Sequence, residues 1–218
     1  QLREDGSEEW FAEEIVQEAL QQNHSLAISG GNENTTYRVS LGYTDEKNIF
    51  VGPSKGLKRY NYRINLTSEF DKFRIETTLS YAKQKIKDHS FSTSTLMVDA
   101  FRTPLYYTQK DEEGNYLTND VLGQFNPLGV LEQGGLRHYD NDDLFGSLSL
   151  QYAITDNFKI RGVFGGRLYN NSLYSRTTQV DFVPGGVYGG NRETRDEMRK
   201  SLDLNTQFLA EYNNTFAD

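Results

Sequence analysis

Residues 59–81 read RYNYRINLTSEFDKFRIETTLSY. Tyr60, Tyr62, Ile64 and Leu66 alternate with Arg59, Asn61, Arg63 and Asn65. After the polar turn Ser68–Lys72, Phe73, Ile75, Thr77, Leu79 and Tyr81 alternate with Arg74, Glu76, Thr78 and Ser80. A period of two puts each set on its own side of an extended chain, so the stretch predicts two amphipathic antiparallel strands joined by a tight turn. Register follows from the same pattern: a slip of one residue in Arg59–Leu66 would carry both Arg59 and Arg63 to the apolar side.

The same period runs outward in both directions. Leu26 and Ile28 begin it, and Tyr37, Val39, Leu41 and Tyr43 continue it. It returns in Leu144–Tyr152, Phe158–Leu168 and Leu202–Tyr212, giving about seven strands. Their connections alternate in length. Gly30–Thr35, Ser68–Lys72 and Thr155–Asn157 are short, whereas Asp45–Lys58, Lys85–Asp143 and Ser172–Arg199 are long. That asymmetry, with strands reaching the membrane length of about ten residues, predicts an all-β fold: an antiparallel transmembrane β-barrel portion with long extracellular loops. Tyr43, Tyr81, Tyr152 and Tyr212 then suit interfacial girdles, and the face carrying Arg38, Arg59, Arg63, Arg74, Glu76, Arg161 and Arg167 is the lumen. A soluble, secreted β-sandwich binding module is the alternative that alternation alone leaves open.

Composition agrees. The 218 residues carry a net charge of −8, 14 Tyr, 13 Phe and no Cys, with a mean hydropathy of −0.71. The acidic balance argues against nucleic acid as a partner. Disulfides, thiolate metal sites and Cys nucleophiles are excluded together. No apolar run approaches the 18 or so residues of a membrane helix, which leaves strands as the means of crossing. Gln1–Glu9 is acidic and does not read as a signal peptide. Ser7–Gln22 is the one good helix, with Ser7 as cap and Trp10, Phe11, Ile15, Ala19 and Leu20 near helical spacing. Residues 1–22 are accordingly read as a connector with a short helix, following a plug that is missing here, and 23–218 as the partial barrel.

Motifs for covalent chemistry do not emerge. The sequence has no HExxH, G-x-S-x-G or P-loop lysine, and His24, His89 and His138 make no ligand spacing. Gly185–Gly190 lacks the strand and helix that would make it a dinucleotide fingerprint and reads as a loop. Asp140–Asp143 reads as a solvated loop run, with Ca²⁺ binding as the rival. The chain is therefore expected to be no enzyme and to need no cofactor.

WFAEEIVQEALQQNHSLAISGGNENTTYRVSLGYTDEKNIF (10–50) and KRYNYRINLTSEFDKFRIETTLSYAK (58–83) resemble the early barrel of the SusC-like TonB-dependent outer-membrane transporters of Bacteroidota. The matching points are Trp10, Asn23-His24, Ser29-Gly30-Gly31, Tyr37, Ser40–Tyr43 and Arg59-Tyr60-Asn61 with Arg63 and Asn65. FRTPLYYTQKDEEGNYL (101–117) and Asn126-Pro127-Leu128 fit the family's long loop. The TonB box, plug and remaining strands of that family are not seen, so the chain reads as an internal barrel portion. The resemblance implies the outer membrane, import of an oligosaccharide ligand, contact with lipid, a SusD-like surface lipoprotein partner, and the TonB complex acting through other parts. Peptide, siderophore or vitamin import by the same kind of barrel is the alternative within the class.

On that reading the long loops hold the binding chemistry. Tyr106, Tyr107, Tyr116, Phe125 and Tyr139 are candidates to stack on sugar rings or peptide side chains, as are Tyr174 and Tyr188, unless they pack the loops on themselves. Asn126, Arg137 and Asp140 are candidates to orient hydroxyls or amides. Lys85–Asp143 is too long for a structureless loop. Within it, Ser92–Arg102 predicts a helix with Leu96, Met97, Ala100 and Phe101 on one side, and Asp111–Asn115 predicts a turn with Gly114 at positive φ.

Overall fold

The computed structural model describes residues 14–53, 55–103, 108–118, 126–188 and 192–215. Its strands are β1 (Gln21–Gly31), β2 (Thr35–Lys47), β3 (Gly56–Phe70), β4 (Phe73–His89), β5 (Gly135–Ala153), β6 (Phe158–Thr177), β7 (Val180–Asp181), β8 (Val187–Tyr188) and β9 (Glu193–Tyr212). Seven of them form one sheet in the order β1-β2-β3-β4-β5-β6-β9, each antiparallel to its neighbour, while β7 and β8 pair separately. Strands lengthen from 11 residues in β1 to 20 in β6 and β9. The sheet is a single layer among the described residues, which removes the sandwich reading. A sandwich would bury one face of each strand against a second sheet.

Register makes the two faces continuous. Ile28, Val39, Ile64 and Leu79 stand in one row, which runs on through Gly146 and Gly166 to Leu204. Leu26, Leu41, Tyr62, Tyr81, Leu144, Leu168 and Leu202 form the next. Residues of this face stay open, Leu204 at 76% and Phe208 at 79%, far more apolar surface than a soluble sheet leaves uncovered. From Phe73 to Lys83, β4 rises about 34 Å along its axis. At a tilt of 35–45° that is about 25 Å along the normal, the height of a barrel's apolar band. Phe73 packs on Tyr152 at 4.7 Å below, and Tyr43 on Tyr60 at 5.1 Å above, marking both rims with aromatics. No described helix is long and apolar enough to cross a membrane.

Short connections lie at one end. Asn32 closes the β1–β2 turn by accepting from Asn34 and Thr35 backbone N–H groups at 3.0 and 2.8 Å. Between β3 and β4, Asp71 takes φ 50°, a left-handed conformation Asp tolerates better than most residues. Sequence boundaries are corrected at the other end. The ladder continues to Lys47↔Gly56, His89↔Leu136, Gly135↔Thr177 and Thr177↔Glu193, so the ends of all three expected long loops are strand: Asp45–Lys47 and Gly56–Lys58, Lys85–His89 and Gly135–Asp143, Ser172–Thr177 and Glu193–Arg199. Above an apolar band both faces are polar, and alternation fades while pairing persists. The helix expected to reach Gln22 ends earlier: Glu14 and Ile15 are helical, Val16 bridges Phe50, and β1 begins at Gln21.

At this end the long connections fold together into a cap. It contains α1 (Thr93–Arg102) and α2 (Pro127–Gln133). The buried core is here and not on the sheet: Ile15, Phe50, Leu96, Ala100, Tyr116, Val130, Leu131, Val180 and Phe182. Those residues come from widely separated segments, so the cap forms only once the barrel strands bring the loops to one rim. The helix expected at Ser92–Arg102 is present, with Leu96 and Ala100 inward, but Phe101 is exposed. Gly114 has φ 84° in the expected turn, and Gly52 has φ 106° where an added Cβ would meet the Leu131 carbonyl at 2.6 Å.

Candidate functional site

Two surfaces offer binding chemistry: the cap and the concave polar face of the sheet. In the cap, the Tyr116 ring is buried, and its hydroxyl donates to Glu132 Oε2 at 2.5 Å. Lys110 Nζ reaches the same oxygen at 2.8 Å and lies 4.9 Å from the Tyr116 ring centre. Burial, then the Glu132 hydrogen bond, pushes the Tyr116 phenol far above its usual range. Burial would raise Glu132, but the Lys110 and Tyr116 hydrogen bonds outweigh it and hold the carboxyl below its usual range. Tyr116 is thus a fixed neutral donor, suited to anchoring the excursion on α2.

Asn126 has the same kind of role. Its Oδ1 accepts from Gly129 N at 3.1 Å, capping α2, and its Nδ2 donates to Gln109 O at 2.6 Å and Leu117 O at 3.1 Å. A buried amide satisfied three times by backbone orders the cap. Both residues were expected to meet ligand; their polar atoms have partners within the cap. Lys55 belongs to this framework and was not anticipated, because nothing local marks it. Only 6% exposed, it donates to Val51 O at 2.8 Å and Leu131 O at 3.0 Å, clamping the β2–β3 connection to the end of α2. Burial lowers its pKa to about 8.

The remaining candidates separate. Tyr106, Tyr107 and Phe125 lie outside the described residues, as does the side chain of Tyr188. Arg137, Tyr139 and Asp140 are on β5 and not in a loop. Arg137 Nη2 donates to Ser90 O at 2.9 Å. The pleat places Tyr139 beside Ile86 and Leu173 on the concave side and turns Asp140 to the apolar-face side, 3.6 Å from Lys83. Tyr174 shares that outward side and meets His138 edge-on at 6.2 Å. Asp142 accepts from Tyr81 at 2.5 Å and Lys83 at 3.2 Å, and Asp143 pairs with Arg167 through both oxygens at 2.8 and 2.7 Å. Asp140–Asp143 is therefore paired strand, with its carboxylates divided between the two faces. No group of three metal-ligating side chains occurs among the described residues.

The concave face holds a shallow hollow of about 850 Å³, bordered by Arg59, Asn61, Arg63, Ser80, Asp143 and Arg167. Arg59 Nε donates to Asn61 Oδ1 at 3.0 Å, whereas Arg63 forms no ion pair among the described residues. Exposed guanidinium and amide groups on a rigid strand bind hydroxyls and anions.

No family profile matches the chain. It is 25% identical over 207 residues to TonB-dependent receptor SusC of Bacteroides thetaiotaomicron, covering 83% of this chain and 20% of that protein. TonB-dependent receptor P26 of Formosa agariphila is 25% identical over 194 residues, 86% of this chain and 19% of the relative. The chain thus spans about a fifth of the length of these relatives. Among solved structures, the RagAB peptide importer in its closed-closed state superposes with a TM-score of 0.77 at 16% identity, over 98% of this chain and 24% of that one. The ferric-catecholate import receptor Fiu of E. coli gives 0.55 at 16% identity, over 90% and 34%. These structures show the fold. The chain has the fold of part of an antiparallel transmembrane β-barrel, its sheet unclosed among the described residues, and in sequence it resembles the SusC-like receptors.

Proposed function

We propose that the chain forms part of an outer-membrane importer that takes up oligosaccharide with a SusD-like surface lipoprotein as partner and the TonB complex as its energy source. The observation that supports this most is the likeness to TonB-dependent receptor SusC across 83% of the chain. The protein's work is binding and gating. Ligand shifts the balance between open and closed arrangements by contacting them unequally, with no covalent step. Tyr139, Arg137 and the concave hollow face the route, and the cap lies at its outer mouth; Tyr106, Tyr107 and Phe125, outside the described residues, are the aromatic contacts proposed for ligand or lipoprotein. Peptide is the second reading, favoured by the superposition on the RagAB peptide importer.

The test uses the full-length transporter with the lipoprotein encoded beside it. Uptake of labelled oligosaccharides and labelled peptides is compared in cells carrying the parent or a variant with Thr93–Gln133 replaced by a Gly-Ser link. The parent should import an oligosaccharide, and the shortened barrel should assemble but import little and retain little lipoprotein. Import of peptides alone would favour the second reading. Unchanged import by the shortened protein would remove the cap from the proposal.

A further inference from the structure

We propose that the outward face of β2–β4, just above the aromatic rim, is a binding site for the phosphate-bearing headgroup of an outer-leaflet glycolipid. The proposal rests on the membrane orientation of the barrel and not on what the barrel transports.

The site is a pocket of about 560 Å³ whose lining includes five lysines, Lys47, Lys55, Lys58, Lys85 and Lys87, against the carboxylates of Asp45 and Glu46. Lys55 is committed to its two carbonyls, which leaves four exposed ammonium groups. Lys58 and Lys85 stand directly opposite one another across β3 and β4, and Lys47 and Lys87 flank Gly56 in the next row. Like charges directly opposite across a sheet destabilise it, so an anion bound between Lys58 and Lys85 would relieve the pair. Neighbouring acids neutralise it only in part. Asp45 is 3.8 Å from Lys58, and Asp140, opposite Lys85 in register, pairs with Lys83 at 3.6 Å. Lys85 and Lys87 form no ion pair among the described residues.

Position identifies the occupant. Lys58 and Lys85 continue the column of Tyr60, Tyr62, Ile64 and that of Leu79, Tyr81, Lys83, so they face the lipid side and not the lumen. Lys58 is two residues beyond Tyr60, about 7 Å along the strand. The headgroup layer beyond the hydrocarbon is of that depth, about 5–8 Å on each side. Lysine stems lie against apolar surface and lift the ammonium to that level. Long connections mark this rim as the outer one, hence an outer-leaflet lipid. A transported ligand passes on the other face of the sheet.

The experiment uses the full-length transporter in detergent, the triple variant Lys58→Gln/Lys85→Gln/Lys87→Gln, and the triple variant with Arg at the same positions. Each is titrated with lipid A, with its dephosphorylated form, and with inorganic phosphate, following thermal unfolding. Lipid A should raise the melting temperature of the parent and the Arg variant, and bind the Gln variant at least about tenfold more weakly. Without lipid the Gln variant should melt close to the parent, since relief of the Lys58–Lys85 repulsion offsets loss of the exposed Lys58–Asp45 pair. The proposal is overturned if lipid A stabilises the Gln variant equally or the dephosphorylated form acts as well. It is also overturned if inorganic phosphate alone reproduces the shift, which would make the pocket a site for free anions.

Discussion

The Tyr116 hydroxyl donates to the Glu132 carboxylate at 2.5 Å, joining the hairpin around Asp111–Asn115 to α2 across 16 residues of chain. Removing that hydroxyl in Tyr116→Phe leaves Lys110 on Glu132 but loses a half-buried, charge-assisted bond. The cap should be destabilised by about 1–3 kcal/mol while the barrel is untouched. Limited proteolysis of the full-length protein should cut faster within Ser90–Gly134, with the barrel still resisting heat in detergent as the parent does. Equal protease rates would mean that the ring's burial alone holds the hairpin.

Lys55 gives the cap a pH dependence of known sign. Its folded pKa is near 8 and its ordinary value 10.5. Between those values the open form binds the proton and the closed form does not, so closing is favoured progressively as pH rises. Protease cutting of the cap, normalised to an unstructured peptide, should slow from pH 7.5 to pH 9.5. In Lys55→Met that slope should vanish.

Leu79 and Glu76 stand on opposite faces of β4. Leu79→Arg should cost about 2–4 kcal/mol if its row lies near the midplane, read as loss of assembled barrel, while Glu76→Gln should assemble almost normally. Equal defects would contradict the register.

Orientation is checked by thiol labelling on whole cells. Glu113 is exposed on the cap, and Glu33 and Asp156 are exposed in the short turns. A cysteine at Glu113 should react with an impermeant reagent, and cysteines at Glu33 and Asp156 should not. The opposite result would turn the barrel over.

Sequence alone determined the strands within the apolar band, their faces and the alternation of connections. There one side must be apolar and the other polar, so each residue of Arg59–Tyr81 carries its own placement. Local chemistry was equally legible in α1 and the Gly114 turn. Above the band that constraint lapses. Gly135–Asp143 reads as loop yet pairs to the last residue of β4, because hydrogen bonds with a neighbouring strand, not polarity, keep it extended. The pleat then divides Tyr139 from Asp140, two residues that looked like one site. Only the tertiary structure could assemble the cap, whose core joins Ile15, Phe50, Leu131 and Val180 from segments far apart in the chain. The same holds for the lysine pocket, since Lys58 and Lys85 become neighbours through strand pairing alone. Contacts of that range leave no periodic trace, because the partners are far apart in sequence and nothing local to either one records the other.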